Sequence, residues 1–231
     1  MTTTARAPLS RDRVFAAAIE LADADGIPAL TMRSLARRLE VEPMSLYYHV
    51  ANKSALLDGI AQAVVTEILA ALAAAHVAGA ASGDGDWRAV LRRRILTART
   101  VLLRHPWAPE LLTRPGAFGP PVAVYFDGVL AILLAGGFSY DRAHHALHAL
   151  GSRALGFSQE LFAPSAAAPQ EMSADDVAVM AARLPHLTGM LGAIAHDDAD
   201  SLGWCDDQAE FEFGVDALLD GLEAARLRDV G

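Results

Sequence analysis

The sequence contains only one cysteine, Cys205, and only one lysine, Lys53, among its 231 residues. A single cysteine cannot form a disulfide within the chain, so the expected role of Cys205 is a buried, inert thiol, with a redox sensor as the alternative. The longest strongly apolar run, Val129 to Ala135, is far shorter than the roughly 18 residues that indicate a membrane span. Because the N-terminus also lacks an apolar signal-peptide region, we expect a soluble protein of the cytoplasm that has no membrane partner.

Sequence motifs of several enzyme classes are absent as well. No Glu-x-x-His pair occurs, so a carboxylate-bridged di-iron bundle has no support. There is no Gly-rich phosphate loop, no Gly-x-Ser-x-Gly and no Cys-x-x-Cys. We therefore expect a protein that is not an enzyme and that holds no cofactor.

The charge of the chain is distributed unevenly. Residues 1–53 carry seven basic and six acidic side chains, a net charge of +1, whereas the remainder carries 12 basic and 22 acidic side chains, a net charge of −10. An acidic body is repelled by DNA phosphates, and a near-neutral head with locally placed cations is not. This distribution predicts modest non-specific affinity for DNA and a strong dependence on salt.

The segment from Leu30 to Leu57 has the pattern of two short helices joined by a tight turn. Thr31 is a good N-cap for a first helix whose apolar residues recur at helical spacing, namely Met32, Leu35, Ala36 and Leu39. After a short connector, Pro43 suits the first position of a second helix, in which Leu46 and Val50 can face the first. Such a pair is a helix-turn-helix, whose second helix enters the major groove of DNA.

The outward side chains of these helices have the chemistry of DNA contacts. The fork of Arg33 matches guanine O6 and N7, Ser45 can hydrogen-bond several bases, and Pro43 and Met44 can pack against thymine methyl groups. The remaining outward residues are expected to donate to phosphates; they are Tyr47, Tyr48 and His49. Double-stranded DNA is thus the first partner that the sequence predicts.

The only lysine follows a helix cap. Asn52 is an N-cap that places Lys53 in the first turn of the next helix, where a cation opposes the helix dipole. A bound DNA phosphate would remove that conflict, because helix N-termini bind anions. The alternative is an ordinary solvated surface lysine.

The sequence of residues 10–60, SRDRVFAAAIELADADGIPALTMRSLARRLEVEPMSLYYHVANKSALLDGI, resembles the DNA-binding domain of the TetR family of transcriptional repressors. The shared features are a helix from Ser10 to Asp25 closed by Gly26, the Thr31 cap, the Leu-Ala-x-x-Leu core, the reading helix and the Asn52-Lys53 start. Glu40 stands where the family usually has glycine, the residue best suited to a left-handed helix end. We therefore expect local strain or a shifted turn at Glu40.

Later segments are similar to the ligand-binding domain of the tetracycline-repressor branch; they are RHPWAPELLTRPGAFGPP, LLAGGFSYDRAHHALHALGSRALGF and FEFGVDALLDGLEA. The Thr113-Arg114-Pro115 match places Glu110 where tetracycline repressors have their magnesium-binding histidine. Glu160 falls near a second metal-linked carboxylate of that branch. Because Glu110 replaces the histidine, the resemblance implies the architecture of the branch without its tetracycline–magnesium effector, and no metal site is predicted.

The resemblance also implies that a small molecule enters the body and moves the fourth helix. The candidate effector contacts are Arg104, His105, Trp107, Glu110, Phe118, Tyr125, Phe126 and Phe157. Each of the aromatic residues could instead belong to the plain core. Their apolar character favours a largely hydrophobic effector.

Two helices, from Tyr140 to Phe162 and from Asp207 to Arg228, are those that the family uses for a four-helix bundle between subunits. In the last helix a broad apolar stripe suggests a surface that a partner covers, with an intramolecular core as the alternative; it consists of Phe211, Val215, Leu218, Leu219 and Leu222. A twofold dimer would set the two reading helices about one DNA turn apart, roughly 34–36 Å, and so requires a palindromic operator.

Three further patterns have a functional and an ordinary interpretation. His144 and His148 lie four residues apart on one helical face and could bind a metal together, but core or interface histidines are the alternative. The loop from His196 to Asp200 lacks the glycine and glutamate of an EF-hand, and we interpret it as a solvated connection. The arginine triplet at residues 92–94 is interpreted as a solvated helix face and not as a second DNA site.

Helical periodicity throughout, punctuated by Gly and Pro clusters, predicts an all-α fold. We expect an N-terminal three-helix helix-turn-helix domain, residues 1–53, and a C-terminal helical bundle for ligand binding and dimerisation, residues 54–231. The predicted function is that of a homodimeric, one-component transcriptional regulator, a repressor released from its operator by a small-molecule effector. The alternative is a helical ligand-binding protein whose degenerate head does not bind DNA.

Overall fold

The computed structural model of the protein describes residues 8–79, 86–158, 179, 181–193, 202 and 207–228. These residues form helices and turns without any strand, which confirms the all-α prediction. The α-helices are α1 (Arg11–Ala29), α2 (Met32–Leu39), α3 (Pro43–Leu46), α4 (Lys53–Gly79), α5 (Trp87–Leu102), α6 (Ala108–Leu112), α7 (Pro120–Ala135), α8 (Tyr140–Leu150), α9 (Pro185–Ala193) and α10 (Gln208–Arg228), and a 3-10 helix (Gly151–Leu155) follows α8. Glu160, Cys205 and the loop from His196 to Asp200 lie outside the described residues.

Local sequence signals set the starts and ends of the first two helices. The Ser10 hydroxyl accepts a hydrogen bond from the Arg13 backbone N–H at 3.2 Å, and the helical course of α1 is interrupted at Gly26, whose φ is 76°. At the start of α2, the Thr31 hydroxyl accepts from the Ser34 N–H at 3.0 Å, while the Ser34 hydroxyl accepts from the Thr31 N–H at 2.8 Å. This reciprocal pair is a capping box, and it satisfies two backbone donors that the helix leaves open.

Glu40 ends α2 in the left-handed conformation, with φ 53° and ψ 48°. The Val41 N–H then donates to the Ala36 carbonyl at 3.0 Å, which closes the helix as a glycine would. The expected strain at Glu40 is therefore confirmed, and the turn keeps its normal register.

Replacing Glu40 with glycine is expected to stabilise the protein. A side chain with a Cβ costs about 1 kcal/mol in the left-handed region, and glycine does not incur that cost. Thermal or urea unfolding of Glu40→Gly should show a gain of about this size. Glu40→Ala is the matched control, because alanine keeps the Cβ; an equal gain from alanine would mean that the glutamate side chain, and not backbone strain, is responsible.

α4 is the central helix, and it packs against α1 in the head and against α5, α6 and α7 in the body. Leu56, Ile60, Val64 and Ile68 on this helix are fully buried. Over Lys53–His76 it is long and apolar enough to cross a membrane by length and composition alone, although polar residues interrupt its apolar runs. Its buried residues pack within the hydrophobic core of the chain. The predicted domain boundary at residue 53 falls at its first turn.

Ion pairs connect α5 to α10. Arg92 binds Glu212 at 2.6 Å and Asp216 at 2.7 Å, and these contacts raise the pKa of Arg92. The arginine triplet was predicted to be a solvated face, and this is wrong for two of its members, because Arg92 joins two helices and Arg94 lies half-buried against α7. Arg93 is exposed.

The predicted helix from Tyr140 to Phe162 is also wrong in its length. α8 ends at Leu150, where Gly151 has a φ of 53°, and the chain continues as a 3-10 helix. Gly156 then has a φ of 96° and approaches α5 so closely that a Cβ would lie 2.6 Å from the Arg99 backbone nitrogen. Close packing on α5 thus redirects the chain, and residues 159–162 lie outside the described part.

The apolar stripe of α10 belongs mainly to the core of its own subunit. Phe211, Val215 and Leu219 are buried within the chain, and Leu218 and Leu222 are half-buried. The intramolecular alternative is therefore correct for this stripe. A different face of α10 remains exposed, where Phe213 keeps 77% and Leu227 keeps 56% of its surface.

Candidate nucleic-acid interface and effector site

The predicted reading segment is anchored by two buried residues and directs its large side chains outward. Leu46 is fully buried and Val50 is 4% exposed, so these two residues fix the segment in the head. Met44 and Tyr48 are 70% and 90% exposed, and Tyr47 is exposed as well. An exposed group of large apolar and aromatic side chains on a well-anchored segment is typical of a binding surface.

α3 itself is a single turn that begins at Pro43 and ends at Leu46, so the predicted second helix, which was expected to include Val50, is wrong in its length. The chain continues through Tyr47, Tyr48 and His49 as hydrogen-bonded turns, in which the His49 N–H donates to the Leu46 carbonyl at 2.9 Å. Pro43, Ser45 and His49 are half-buried. All predicted base and phosphate contacts of this segment therefore lie on one short stretch of surface.

Two predicted cations lie on the flanking helices. Arg33 is in the first turn of α2, is exposed and pairs with no carboxylate in the part of the chain that the structure describes. Arg38, near the end of the same helix, is instead held by Glu20 at 2.8 Å. Lys53 is the exposed first residue of α4, where the Asn52 side chain accepts from the Ala55 N–H at 2.9 Å and so caps the helix as predicted.

Three predicted effector residues lie at the junction between the head and the body. The Nδ1 atom of buried His105 is 2.8 Å from an Asp23 carboxylate oxygen on α1, and its Nε2 atom is 3.2 Å from Glu67 on α4. The Trp107 indole N–H donates to the same Asp23 oxygen at 2.7 Å. Arg104 binds the other carboxylate oxygen of Glu67, also at 2.7 Å.

We call this group, consisting of Asp23, Glu67, Arg104, His105 and Trp107, the junction cluster. It joins α1 of the head to α4 and to the α5–α6 connection of the body. Asp23 and Glu67 could not be predicted from the sequence, because their partner His105 is 82 and 38 positions away and no local pattern marks such a contact.

A second group of predicted effector residues lies around α7. Tyr125 is fully buried, and its hydroxyl donates to the Ala154 carbonyl at 2.7 Å, while burial raises its pKa. The Phe126 ring meets the edge of Tyr125 at 5.7 Å and stacks with Phe118 at 6.4 Å between centroids. Phe118 is 70% exposed.

The two remaining candidates are not part of these groups. Phe157 is buried beyond the 3-10 helix, and Glu110 is exposed on α6. Polar side chains that the sequence did not indicate lie beside α7 instead. Gln62 donates to the Ala117 carbonyl at 2.6 Å, yet among the described residues neither its buried Oε1 atom nor the buried Nε atom of Arg94 has a hydrogen-bond partner.

An open groove of about 460 Å³ runs along the outer side of α5. It is lined by Ala89, Arg92, Arg93, Leu96, Thr97 and Thr100. None of the predicted effector residues contributes to it, and its residues all come from a single helix. The groove therefore does not coincide with the predicted effector site.

His144 and His148 contact each other edge to face, with 4.5 Å between their ring centroids. Both side chains are exposed on α8. Within the residues that the structure describes, no group of three His, Cys, Asp or Glu side chains is arranged to hold a metal ion. Among the residues that the structure describes, the pair therefore has too few ligands for a metal centre.

Comparison with known proteins covers both parts of the chain. Residues 14–60 match the model of the bacterial regulatory proteins of the tetR family, and residues 79–226 match that of the tetracyclin repressor-like C-terminal domain. The class C tetracycline repressor protein of Escherichia coli is 32% identical over 221 residues, which cover 95% of this chain and 93% of that protein.

Solved structures of TetR-family proteins are also similar to this chain over nearly its whole length. A possible TetR-family transcriptional regulator from Streptomyces coelicolor A3(2) is 30% identical with a TM-score of 0.71, covering 94% of this chain and all of its own. A variant of TetR from Acinetobacter baumannii AYE, in complex with minocycline, is 29% identical with a TM-score of 0.57, covering 95% and 99% of the two chains.

The matches extend through the head and the body in one continuous chain. They confirm the prediction of a DNA-binding transcriptional regulator with an effector-binding C-terminal domain, and they do not fit the alternative of a ligand-binding protein with a degenerate head. The chain belongs to the TetR family of transcriptional regulators.

Proposed function

We propose that the protein is a cytoplasmic, homodimeric repressor that occupies a palindromic operator and leaves it when a small organic molecule binds the body. The observation that carries this proposal is the anchored, outward-facing segment from Met44 to Tyr48 beside the exposed Lys53. Such a surface offers apolar contacts for bases together with donors for phosphates. Repression follows because a bound dimer would block access of the transcription machinery to the same DNA.

The exposed face of α10 is the part of the body that suits a second copy of the chain. Phe213 and Leu227 are large exposed residues at its two ends, and the exposed residues between them are the small Ala217, Gly221 and Ala224 together with Asp216 and Asp220. Small residues between two apolar ends allow helices of two subunits to approach closely. This face, and not the buried stripe at Phe211, would bring two heads together on a twofold axis.

The junction cluster would transmit the effector signal to the head. Asp23 belongs to the head, whereas His105 and Trp107 belong to the connection between α5 and α6, which packs on α4. A molecule that displaces this connection would move Asp23 and so turn the head away from its DNA-ready orientation. Coupling of about 1–3 kcal/mol between effector and operator would be typical of such a switch.

The effector of this protein is expected to differ from that of the tetracycline repressors. The structure from Acinetobacter baumannii contains minocycline, whereas the resemblance of this chain to the tetracycline repressors implies Glu110 in place of their magnesium-binding histidine. The TetR proteins that match this chain are regulators, and we propose no enzymatic activity for it.

Arg33→Ala is expected to weaken operator binding by about 1–3 kcal/mol and to relax the preference at one base position. Arg33 is exposed in the first turn of α2, from which its guanidinium can reach a guanine edge. The measurement is a titration against the operator and its single-base variants. Arg37→Ala, on the same helix and equally exposed, is the control. An equal loss on every base variant would contradict base reading and leave only a phosphate contact.

Selection from a random duplex library tests the proposed function. The purified full-length dimer is expected to enrich a palindrome, and titration of the enriched DNA at two salt concentrations should show weaker binding at higher salt. Enrichment of unrelated sequences, or of none by a folded dimer, would contradict sequence-specific repression.

A further inference from the structure

The Arg94 side chain carries a positive charge into the body without a carboxylate partner among the described residues. It is half-buried, its buried Nε atom has no hydrogen-bond partner, and its Nη2 atom donates to a neutral acceptor, the Tyr125 carbonyl, at 2.8 Å. Burial lowers the pKa of Arg94, and the neighbouring Tyr125 side chain offsets that effect only in part. Burying a cation without a counter-charge costs free energy, so such a cation is usually found where it serves a function.

Two other arginines of α5, unlike Arg94, have carboxylate partners. Arg92 binds Glu212 and Asp216, and Arg88 binds Asp86 and Asp220. Each of these two arginines therefore pairs with two carboxylates, although both are more exposed to solvent than Arg94. The chain has 28 acidic residues, so acidic partners are plentiful, yet none of the described ones pairs with Arg94.

The surroundings of Arg94 hold its guanidinium in one place. The guanidinium carbon lies 4.6 Å from the centre of the Tyr125 ring, so the ring supports the cation from one side. Gly128, one turn further along α7, allows this position, because a Cβ at residue 128 would overlap Arg94 Nη2. The cation is thus pre-positioned beside the aromatic group of α7, where Phe126 packs on Tyr125.

We propose that Arg94 is the binding residue for an acidic group on the effector, so that the effector is an organic anion, a carboxylate carried on an apolar frame. This assignment rests on the proposed function, and it changes the expectation of a largely hydrophobic effector by adding one charged anchor. A guanidinium binds carboxylates through charge-assisted N–H donors, of which Nη2 already serves the Tyr125 carbonyl, and the aromatic side chains of α7 would supply an apolar wall.

Ligand selection tests the charge of the effector. The full-length dimer is incubated with a library in which every apolar carboxylic acid is accompanied by its primary amide, and retained compounds are identified by mass spectrometry. Wild-type protein should retain acids about tenfold or more over their amides, as expected for a charge-assisted hydrogen bond in a shielded site. Arg94→Gln should lose this preference, whereas Arg142→Gln, an exposed arginine of α8, should keep it.

Retention of amides as well as acids by the wild type, or an unchanged preference in Arg94→Gln, would overturn the proposal. The same protein samples are titrated with operator DNA. Failure of the wild type to bind any specific DNA would contradict the proposed repressor function but not the anion site, so the two failures are distinguishable.

Thermal unfolding without any ligand provides a second test. Arg94→Gln should unfold at the same temperature as the wild type or higher, because it removes a cation that has no counter-charge among the residues described. Arg92→Gln, two positions away on the same helix, should lower the unfolding temperature, because it leaves Glu212 and Asp216 unpaired. A loss in Arg94→Gln as large as in Arg92→Gln would show that Arg94 serves the fold alone.

Discussion

Lys53→Ala is expected to weaken operator binding by roughly 60-fold at about 0.1 M salt. Each phosphate contact contributes about 0.9 to the slope of log K against log salt, and a dimer has two copies of Lys53, so the slope falls in magnitude by about 1.8. Lys53 is exposed at the start of α4, where the open backbone N–H groups of the helix also favour a phosphate. The affinity should fall equally on specific and non-specific DNA.

The measurement is a fluorescence anisotropy titration of wild type and variant at several salt concentrations. Lys53→Arg is the matched control, and it should keep the salt slope because it keeps the charge. The proposed phosphate contact would be refuted by a Lys53→Ala protein that has lost affinity while its salt slope equals that of the wild type.

Asp23→Ala is expected to loosen the head from the body and to destabilise the protein by about 2 kcal/mol. The substitution removes the acceptor of both the His105 imidazole and the Trp107 indole, two donors that are then left in a buried place. The estimate stays near the middle of the usual range because the Asp23 side chain itself is 31% exposed. Urea unfolding measures the loss of stability.

The orientation of the heads is measured in a separate experiment. Each subunit carries one spin label, attached at Arg37→Cys after the native cysteine is removed by Cys205→Ser, and the distance between the two labels of the dimer is measured. The distance distribution should be narrow for the intact junction cluster and broad in Asp23→Ala. Glu20→Ala on the same helix is the control, because its surface ion pair with Arg38 is expected to contribute little. An unchanged distribution in Asp23→Ala would mean that the junction cluster does not hold the head.

The sequence predicted the head in detail because its signals are local. The Thr31 cap, the Asn52 cap and the left-handed Glu40 depend on residues within a few positions of one another. Hydrophobic spacing likewise identified Leu46 and Val50 as the anchors of the reading segment. Local rules of this kind hold wherever tertiary contacts do not override them.

The body was predicted less well because its decisive contacts are distant in sequence. The path of the chain after α8 brings Gly156 against Arg99, 57 positions earlier, and helical spacing carries no signal of this contact. The charge of Arg94 lies against α7 and not in solvent, although the triplet RRR is typical of an exposed face. The apolar stripe of α10 was correctly identified, but its periodicity could not tell whether the same subunit or a partner covers it.

The most direct test of a dimeric, palindrome-reading regulator is the binding of the wild-type dimer to its selected operator with about five base pairs, half a DNA turn, inserted at the centre. Two reading segments on a twofold axis face the same side of DNA only when the half-sites are about one turn, roughly 34–36 Å, apart. The insertion turns one half-site to the opposite side of the duplex, and the affinity should fall to that for a single half-site. Undiminished binding would contradict a dimer that places two fixed heads on one operator.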